Sequence, residues 1–315
     1  MEYQLLGNTT LRVSKLCFGA LTIGPLQAHL PMAAGASVIK AALENGINFI
    51  DTAKLYRTYP YIREALKNWS QDVVIASKSY DYTADGMKNS VEEARWELDR
   101  DVIDIFLLHE QESIHTFRGH APAYAYLQEA QAKGIIRAIG ISTHSAEMVK
   151  VAAAIEEIEV IHPLFNRRGI GILDGTTEDM AQAIIAAGEA GKGIYAMKAL
   201  GGGHLNKTAA EEFAFVLGHN HIHAVAVGMK STAEVLANCA IFSGEKVDAE
   251  VAKAVQAVPR RLHVEAWCSG CGTCTKHCPS AAIKVENGIA VPNPCLCVFC
   301  GYCGAHCPEF CIKVI

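Results

Sequence analysis

Ten of the twelve cysteines in this 315-residue chain fall in the 44 positions from Cys268 to Cys311; only Cys17 and Cys239 lie elsewhere. The start, Met1-Glu2-Tyr3-Gln4, lacks the positive region and apolar stretch of a secretion signal, so the expected location is the cytoplasm. A reducing compartment does not maintain disulfides, and thiols crowded together there read as metal ligands. The crowded segment also repeats itself. Cys268, Cys271, Cys274, Cys278 and Pro279 recur 29 positions later as Cys297, Cys300, Cys303, Cys307 and Pro308, and Ile283-Lys284-Val285 recur as Ile312-Lys313-Val314. A segment of about 49 residues built from two such copies is too small to rely on an apolar core, so bound metal must supply much of its stability.

Each copy reads C-x2-C-x2-C-x3-C-P. Three thiolates at three-residue spacing wrap one face of a cubane, while the fourth, on the turn set by proline, points toward the sister cluster. This cross-ligation predicts Cys268, Cys271, Cys274 and Cys307 on one [4Fe-4S] cluster, and Cys278, Cys297, Cys300 and Cys303 on the other. Structural zinc sites use paired C-x2-C knuckles instead, which this run does not match. Cys295 and Cys311 stand outside the pattern, with Ala266 and Ala282 at the equivalent positions, and read as packing residues. Over its whole length the segment resembles bacterial two-cluster ferredoxins. The resemblance implies low-potential, one-electron transfer.

The rest of the chain has a different grammar. After a short hairpin (Glu2 to Leu6, Leu11 to Val13), eight apolar strand candidates alternate with segments of helical period: Leu16–Ala20, Asn48–Ala53, Val73–Lys78, Val102–Glu110, Ala138–Thr143, Glu159–Asn166, Gly193–Leu200 and His223–Met229. Such alternation argues for parallel strands with crossover helices. With no G-x-G-x-x-G turn after the first strand, a closed (β/α)8 TIM barrel fits better than an open doubly wound sheet. The predicted organisation is an α/β barrel over residues 1–258, then a linker and a small α+β ferredoxin-like domain over 259–315. A composition of 50% hydrophobic and 19% charged residues suits a folded enzyme. The net charge of −5 argues against nucleic acid as a partner, and no apolar run reaches the roughly 18 residues of a membrane span.

In such barrels, polar residues at the carboxyl ends of strands converge on one mouth. Asp51 ends the second strand and Tyr56 follows in its loop; Lys78 ends the third strand, and His109 stands near the end of the fourth. The local sequences Gly46-Ile47-Asn48-Phe49-Ile50-Asp51-Thr52-Ala53-x2-Tyr56, Ile103-Asp104-x3-Leu108-His109 and Gly140-Ile141-Ser142 resemble the aldo-keto reductase family. So does the opening Tyr3-Gln4-Leu5-Leu6-Gly7, and the likeness covers nearly all of residues 1–243. The resemblance implies that Asp51, Tyr56, Lys78 and His109 form a carbonyl-reducing tetrad working with NADPH or NADH. Tyr56 is then the general acid in reduction and the base in alcohol oxidation. A tyrosine of ordinary pKa near 10 donates poorly, and Lys78 beside it is expected to lower that value. Asp51 holds Lys78, and His109 orients the carbonyl.

The same resemblance places the nicotinamide near Ser142, Thr143 and His144 and near His162 and Asn166. Phosphates are expected at Leu200, Gly201, Gly202 and Gly203 and at the helix start Lys230-Ser231 with Asn238. The family's usual basic residue for a 2′-phosphate is missing from Ala233-Glu234-Val235, leaving Lys230 as the substitute, and the stacking aromatic of the seventh strand is Met197, followed by Lys198. The expected reaction is NAD(P)H-dependent interconversion of an aldehyde or ketone with its alcohol, accompanied by electron transfer through two [4Fe-4S] clusters and possible exchange with a redox partner protein. The alternatives are an electron-transfer protein that uses the barrel as a docking scaffold, and a reductase driven by the clusters. Hydride moves two electrons and each cluster one, and no flavin fingerprint is present to join them. His219, His221 and His223 alternate as along a strand, and Arg167-Arg168 reads as a solvated pair.

Overall fold

The computed structural model describes residues 1–315. The hairpin is β1 (Tyr3–Leu5) with β2 (Arg12–Ser14). Eight parallel strands follow: β3 (Leu16–Gly19), β4 (Phe49–Asp51), β5 (Val74–Ser79), β6 (Ile103–Leu108), β7 (Ile136–Thr143), β8 (Val160–Pro163), β9 (Gly193–Met197) and β10 (Ala224–Gly228). β10 pairs with β3 and closes the barrel. The strands end earlier than the apolar runs in the fourth, sixth and seventh units, because Glu110, Asn166 and Lys198 belong to the loops of the mouth.

Period-two alternation along each strand explains both the core and the site. Phe49, Val74, Ala76, Ile105, Leu107, Ala138, Val160 and Tyr195 fill the barrel interior, with Leu6, Leu11 and Val13 of the hairpin stopping its lower end. Ile50, Ile75, Phe106 and Ile139 face outward into the layer shared with the helices. Continuing that alternation to the upper ends of the strands brings Asp51, Lys78, His109 and His162 to the inside.

The helices are α1 (Met32–Glu44), α2 (Tyr59–Leu66), α3 (Ala84–Leu98), α4 (Ile114–Gly119), α5 (Ala121–Ala132), α6 (Ala146–Ala153), α7 (Thr177–Glu189), α8 (Ala209–Leu217), α9 (Thr232–Phe242) and α10 (Ala249–Ala257). Several starts are written in the sequence: Thr83, Ser145, Thr176, Ser231 and Asp248 each cap a first turn with a side-chain oxygen. No helix is long and apolar enough to cross a membrane.

The cysteine-rich segment has β11 (Leu262–Val264) paired with β14 (Ile312–Val314), and β12 (Ile283–Glu286) paired with β13 (Ile289–Pro292). Between them lie the short helices α11 (Thr273–Lys276) and α12 (Tyr302–Ala305). The repeat seen in the sequence is a repeat in space. His277 and His306, 29 positions apart, stack at 3.7 Å between centroids, and α11 lies against α12.

Candidate active site and cluster sites

The two cysteine quartets line two separate cavities. One is walled by Cys268, Cys271, Cys274 and Cys307 with Ile312 and Ala290; the other by Cys278, Cys297, Cys300 and Cys303 with Leu262 and Ile283. Each quartet draws one cysteine from the opposite copy, as cross-ligation requires. Backbone N–H groups aim at sulfur, Ala282 N to Cys278 Sγ at 3.1 Å and Ala290 N to Cys268 Sγ at 3.4 Å, and such donors stabilise thiolates. The residues fit two [4Fe-4S] clusters. Cys311 is buried at the first cavity with its Sγ 3.4 Å from Cys307 Sγ, closer to the site than a distant packing residue would be. Cys295 is exposed.

At the barrel mouth, Asp51, Lys78, His109 and Tyr56 come together. Lys78 is 1% exposed and spends all three ammonium donors at 2.7–2.9 Å, on both oxygens of Asp51 and on Thr52 O. Asp51 also accepts from Tyr195 Oη at 2.9 Å. Lys78 Nζ therefore reaches Tyr56 only as a charge, 5.0 Å from the ring centroid. The expected lowering of the Tyr56 pKa does not appear. Burial, followed by the fields of Asp51 and Glu110, holds the phenol well above 10, because the Lys78 charge is already matched by its carboxylate. Tyr56 keeps its proton. Its Oη lies 3.4 Å from His109 Nε2, and burial, reinforced by Lys78, keeps His109 neutral, well below 6.5. His109 Nδ1 is buried without a partner, and Tyr80 stacks on its ring at 4.2 Å.

Breaking the Asp51–Lys78 pair from one side leaves a buried charge alone. Asp51→Asn is expected to cost about 3–5 kcal/mol of stability, read as a lowered midpoint in chemical denaturation.

The residues nominated for the nicotinamide are otherwise engaged. Asn166 spends its amide on its own loop, accepting from Arg168 N and Ile170 N and donating to Ile170 O. Ser142 Oγ accepts from Glu110 N and Thr143 Oγ1 from Ser145 N. His162 lies inside the barrel, stacked on Tyr195 at 3.8 Å and bonded to Tyr195 O; burial brings it down to about 4. Ser231 caps α9, whose first turn carries Glu234, and Lys230 Nζ donates to Pro259 O at 2.6 Å rather than facing a phosphate site. Asn238 lies half-buried in the middle of α9.

The loop Leu200–Gly203 is covered by the last strand of the chain. Val314 N donates to Gly202 O at 2.9 Å, and His204 Nε2 lies 2.8 Å from Ile312 O. At Gly203, with φ +89°, a side chain would run into the Val314 carbonyl. Phe310 packs among Leu164, Ile170 and Leu205 beside Met197. As arranged, these residues do not fit a nicotinamide dinucleotide, since the chain's own C-terminal strand lies over the loop expected to hold its phosphates.

Sequence reasoning missed Tyr195, Tyr80, Phe310 and Lys313. Three non-glycine residues around the mouth, Glu110, Lys198 and Phe310, have left-handed φ of 47°, 59° and 44°. Such backbone persists only where surroundings over-determine it, and it concentrates at functional sites. Elsewhere, Arg167 pairs with buried Glu212 at 2.8 Å, so the arginine pair is not simply solvated. His219 and His221 lie in the turn before β10, not along a strand.

This barrel with a polar mouth and an appended cysteine-rich iron-sulfur module is that of an oxidoreductase. The Aldo/keto reductase family model matches residues 15–221, and a 4Fe-4S dicluster domain model matches 262–308. The chain belongs to the aldo-keto reductase family. It is 26% identical over 225 residues to the uncharacterized oxidoreductase YqkF of Bacillus subtilis, covering 64% of this chain and 68% of that one. L-galactose dehydrogenase of Arabidopsis thaliana is 23% identical, with 86% and 98% covered, and methylglyoxal reductase DkgA of Escherichia coli 25%, with 52% and 62% covered. Among solved structures, an aldo-keto reductase of Bacillus halodurans in its holo form superposes with a TM-score of 0.65 at 22% identity, covering 81% of this chain and 95% of that one.

Proposed function

We propose that the chain reduces an aldehyde or ketone to its alcohol at the barrel mouth, with Tyr56 giving its proton to the carbonyl oxygen and reducing equivalents arriving through the cluster module. The observation that carries this reading is the neutral Tyr56–His109 pair, held over a buried Asp51–Lys78 ion pair beneath that module. Bound clusters supply one-electron transfer, and two electrons with two protons balance carbonyl to alcohol. His109 fixes the carbonyl oxygen against Tyr56 Oη. Tyr56 delivers the first proton and takes one back from solvent to restore the phenol, while the Asp51–Lys78 pair holds the floor of the site in place. The second proton comes from solvent. The family relatives named for methylglyoxal and L-galactose support a small carbonyl substrate.

A phenol held high favours reduction over the oxidation that needs Tyr56 as a base. Neither Tyr56, raised, nor His109, lowered, titrates near neutrality, so kcat with an uncharged aldehyde, which has no carboxylate to be held, is expected to stay flat between about pH 7 and about pH 9. The test is anaerobic aldehyde turnover by the holoprotein with dithionite-reduced clusters, and separately with NADPH alone. Turnover with the first and not the second is expected. Turnover with NADPH alone supports the second reading, a nicotinamide-dependent reductase. That reading is favoured by family membership and requires β14 to leave Gly202. No turnover with either donor overturns both.

A further inference from the structure

The C-terminal module brings a second cation to the mouth. Lys313 Nζ lies 3.1 Å and Lys198 Nζ 4.7 Å from the centroid of the same ring, Phe310. Lys313 is buried and Lys198 half-buried, and neither has a carboxylate within ion-pair distance. Lys198 Nζ meets only His144 Nε2, at 2.9 Å, and Lys313 only its neighbour's carbonyl, Phe310 O. Burial is the main reason both sit low, Lys198 at about 8 and Lys313 at about 6. Two lysines in one dry place keep both charges only when an anion joins them.

The internal repeat shows that this arrangement is particular to the second copy. Lys284, the counterpart of Lys313, is exposed, and the counterpart of Phe310 is Ala281. The backbone is left-handed at both 281 and 310, yet only the second copy places a large ring there, between two lysines. The pair connects to the tetrad by a continuous wall. His144 Nε2 lies 3.5 Å from Glu110, Glu110 accepts from Tyr80 Oη, and Tyr80 stacks on His109. Glu265 acts on both lysines from beyond ion-pair distance, joined by Glu110 at Lys198 and by Cys307 and Cys311 of the first cluster site at Lys313.

We infer that Lys198 and Lys313 form an anion clamp shared by barrel and module, and that the substrate of the proposed reduction is an oxo acid whose carboxylate they hold while its carbonyl faces Tyr56 and His109. The inference rests on the proposed carbonyl reduction for its reaction but not for its binding. With anaerobic holoprotein, pyruvate and succinic semialdehyde are compared with their methyl esters, and oxamate, a non-reducible analogue, is titrated by calorimetry. The wild type is expected to favour an acid over its ester in kcat/KM by about 30-fold or more, mostly through KM. Lys198→Met and Lys313→Met are each expected to reduce that ratio about 10-fold or more and to weaken oxamate, with Lys198→Arg retaining both. Oxamate binding lost in Lys313→Met without turnover of any carbonyl sinks the reductase reading and leaves the clamp standing. Equal kcat/KM for acid and ester in the wild type overturns the clamp and spares the reductase. Lys313→Met that shifts a cluster reduction potential while oxamate binds as before makes Lys313 a counter-ion of the cluster, and also overturns the clamp.

Discussion

Tyr56→Phe is expected to lower carbonyl turnover by about 100- to 10,000-fold while leaving KM nearly unchanged. The substitution removes one oxygen. The ring stays under Lys78 Nζ at 5.0 Å and edge-on to His109 at 5.6 Å, so neither the packing nor the Asp51–Lys78 pair is disturbed. What disappears is the one neutral proton donor facing the place where a carbonyl oxygen would sit. Lys78 cannot replace it, since its three donors are bound to Asp51 and Thr52. His109 is a poorer substitute, because giving up a proton there would leave an imidazolate in a buried site. A variant that keeps wild-type kcat with an aldehyde would refute Tyr56 as the acid. The same loss is expected with either electron donor, because protonation of the oxygen is common to both routes. The experiment thus separates the proton's source from the electrons' source.

Asp51, Lys78 and His109 were legible in the sequence because strand alternation is a local rule: once Phe49, Val74 and Ile105 face inward, every second residue after them does too. The two cysteine quartets were legible because their spacing along the chain sets which thiols line each cavity. The grouping of Cys307 with Cys268, Cys271 and Cys274 came from the likeness of the C-x2-C-x2-C-x3-C-P run to two-cluster ferredoxins. The state of Tyr56 was not legible, since it depends on whether Lys78 keeps a free donor, and Tyr195 and Thr52, which complete that network, come from other strands or loops. The closure of the mouth was also out of reach. It depends on β14 docking at Gly202, more than a hundred residues away, and the sequence marks it only faintly, as the Ala281-to-Phe310 change between otherwise matching copies.

Removing the clusters is expected to unfold the C-terminal module and leave the barrel intact. The module's apolar core has eight buried residues, and three of them, Cys274, Cys303 and Cys311, are cysteines. Without iron and sulfide the two cysteine-lined cavities become voids edged by ionisable thiols, and the remaining apolar area cannot offset the chain entropy of so small a unit. The barrel keeps its own larger core and its closed ring of strands. In hydrogen exchange after anaerobic chelation, the amides of Leu262–Val264 and Ile312–Val314 are therefore expected to exchange about a thousandfold faster or more, with those of β5 to β7 unchanged. The loop at Gly201–Leu205 changes with them, because Val314 and Ile312 supply partners for Gly202 O and His204 Nε2. NADPH affinity is then expected to rise, as the strand over the glycine loop is gone and the backbone N–H groups of that loop become accessible. Protection retained at Ile312–Val314 after complete iron loss would show that the module stands on its own packing. NADPH binding equally well before and after chelation would show that β14 is no barrier, and the cover over Gly202 would then have no part in choosing the electron donor.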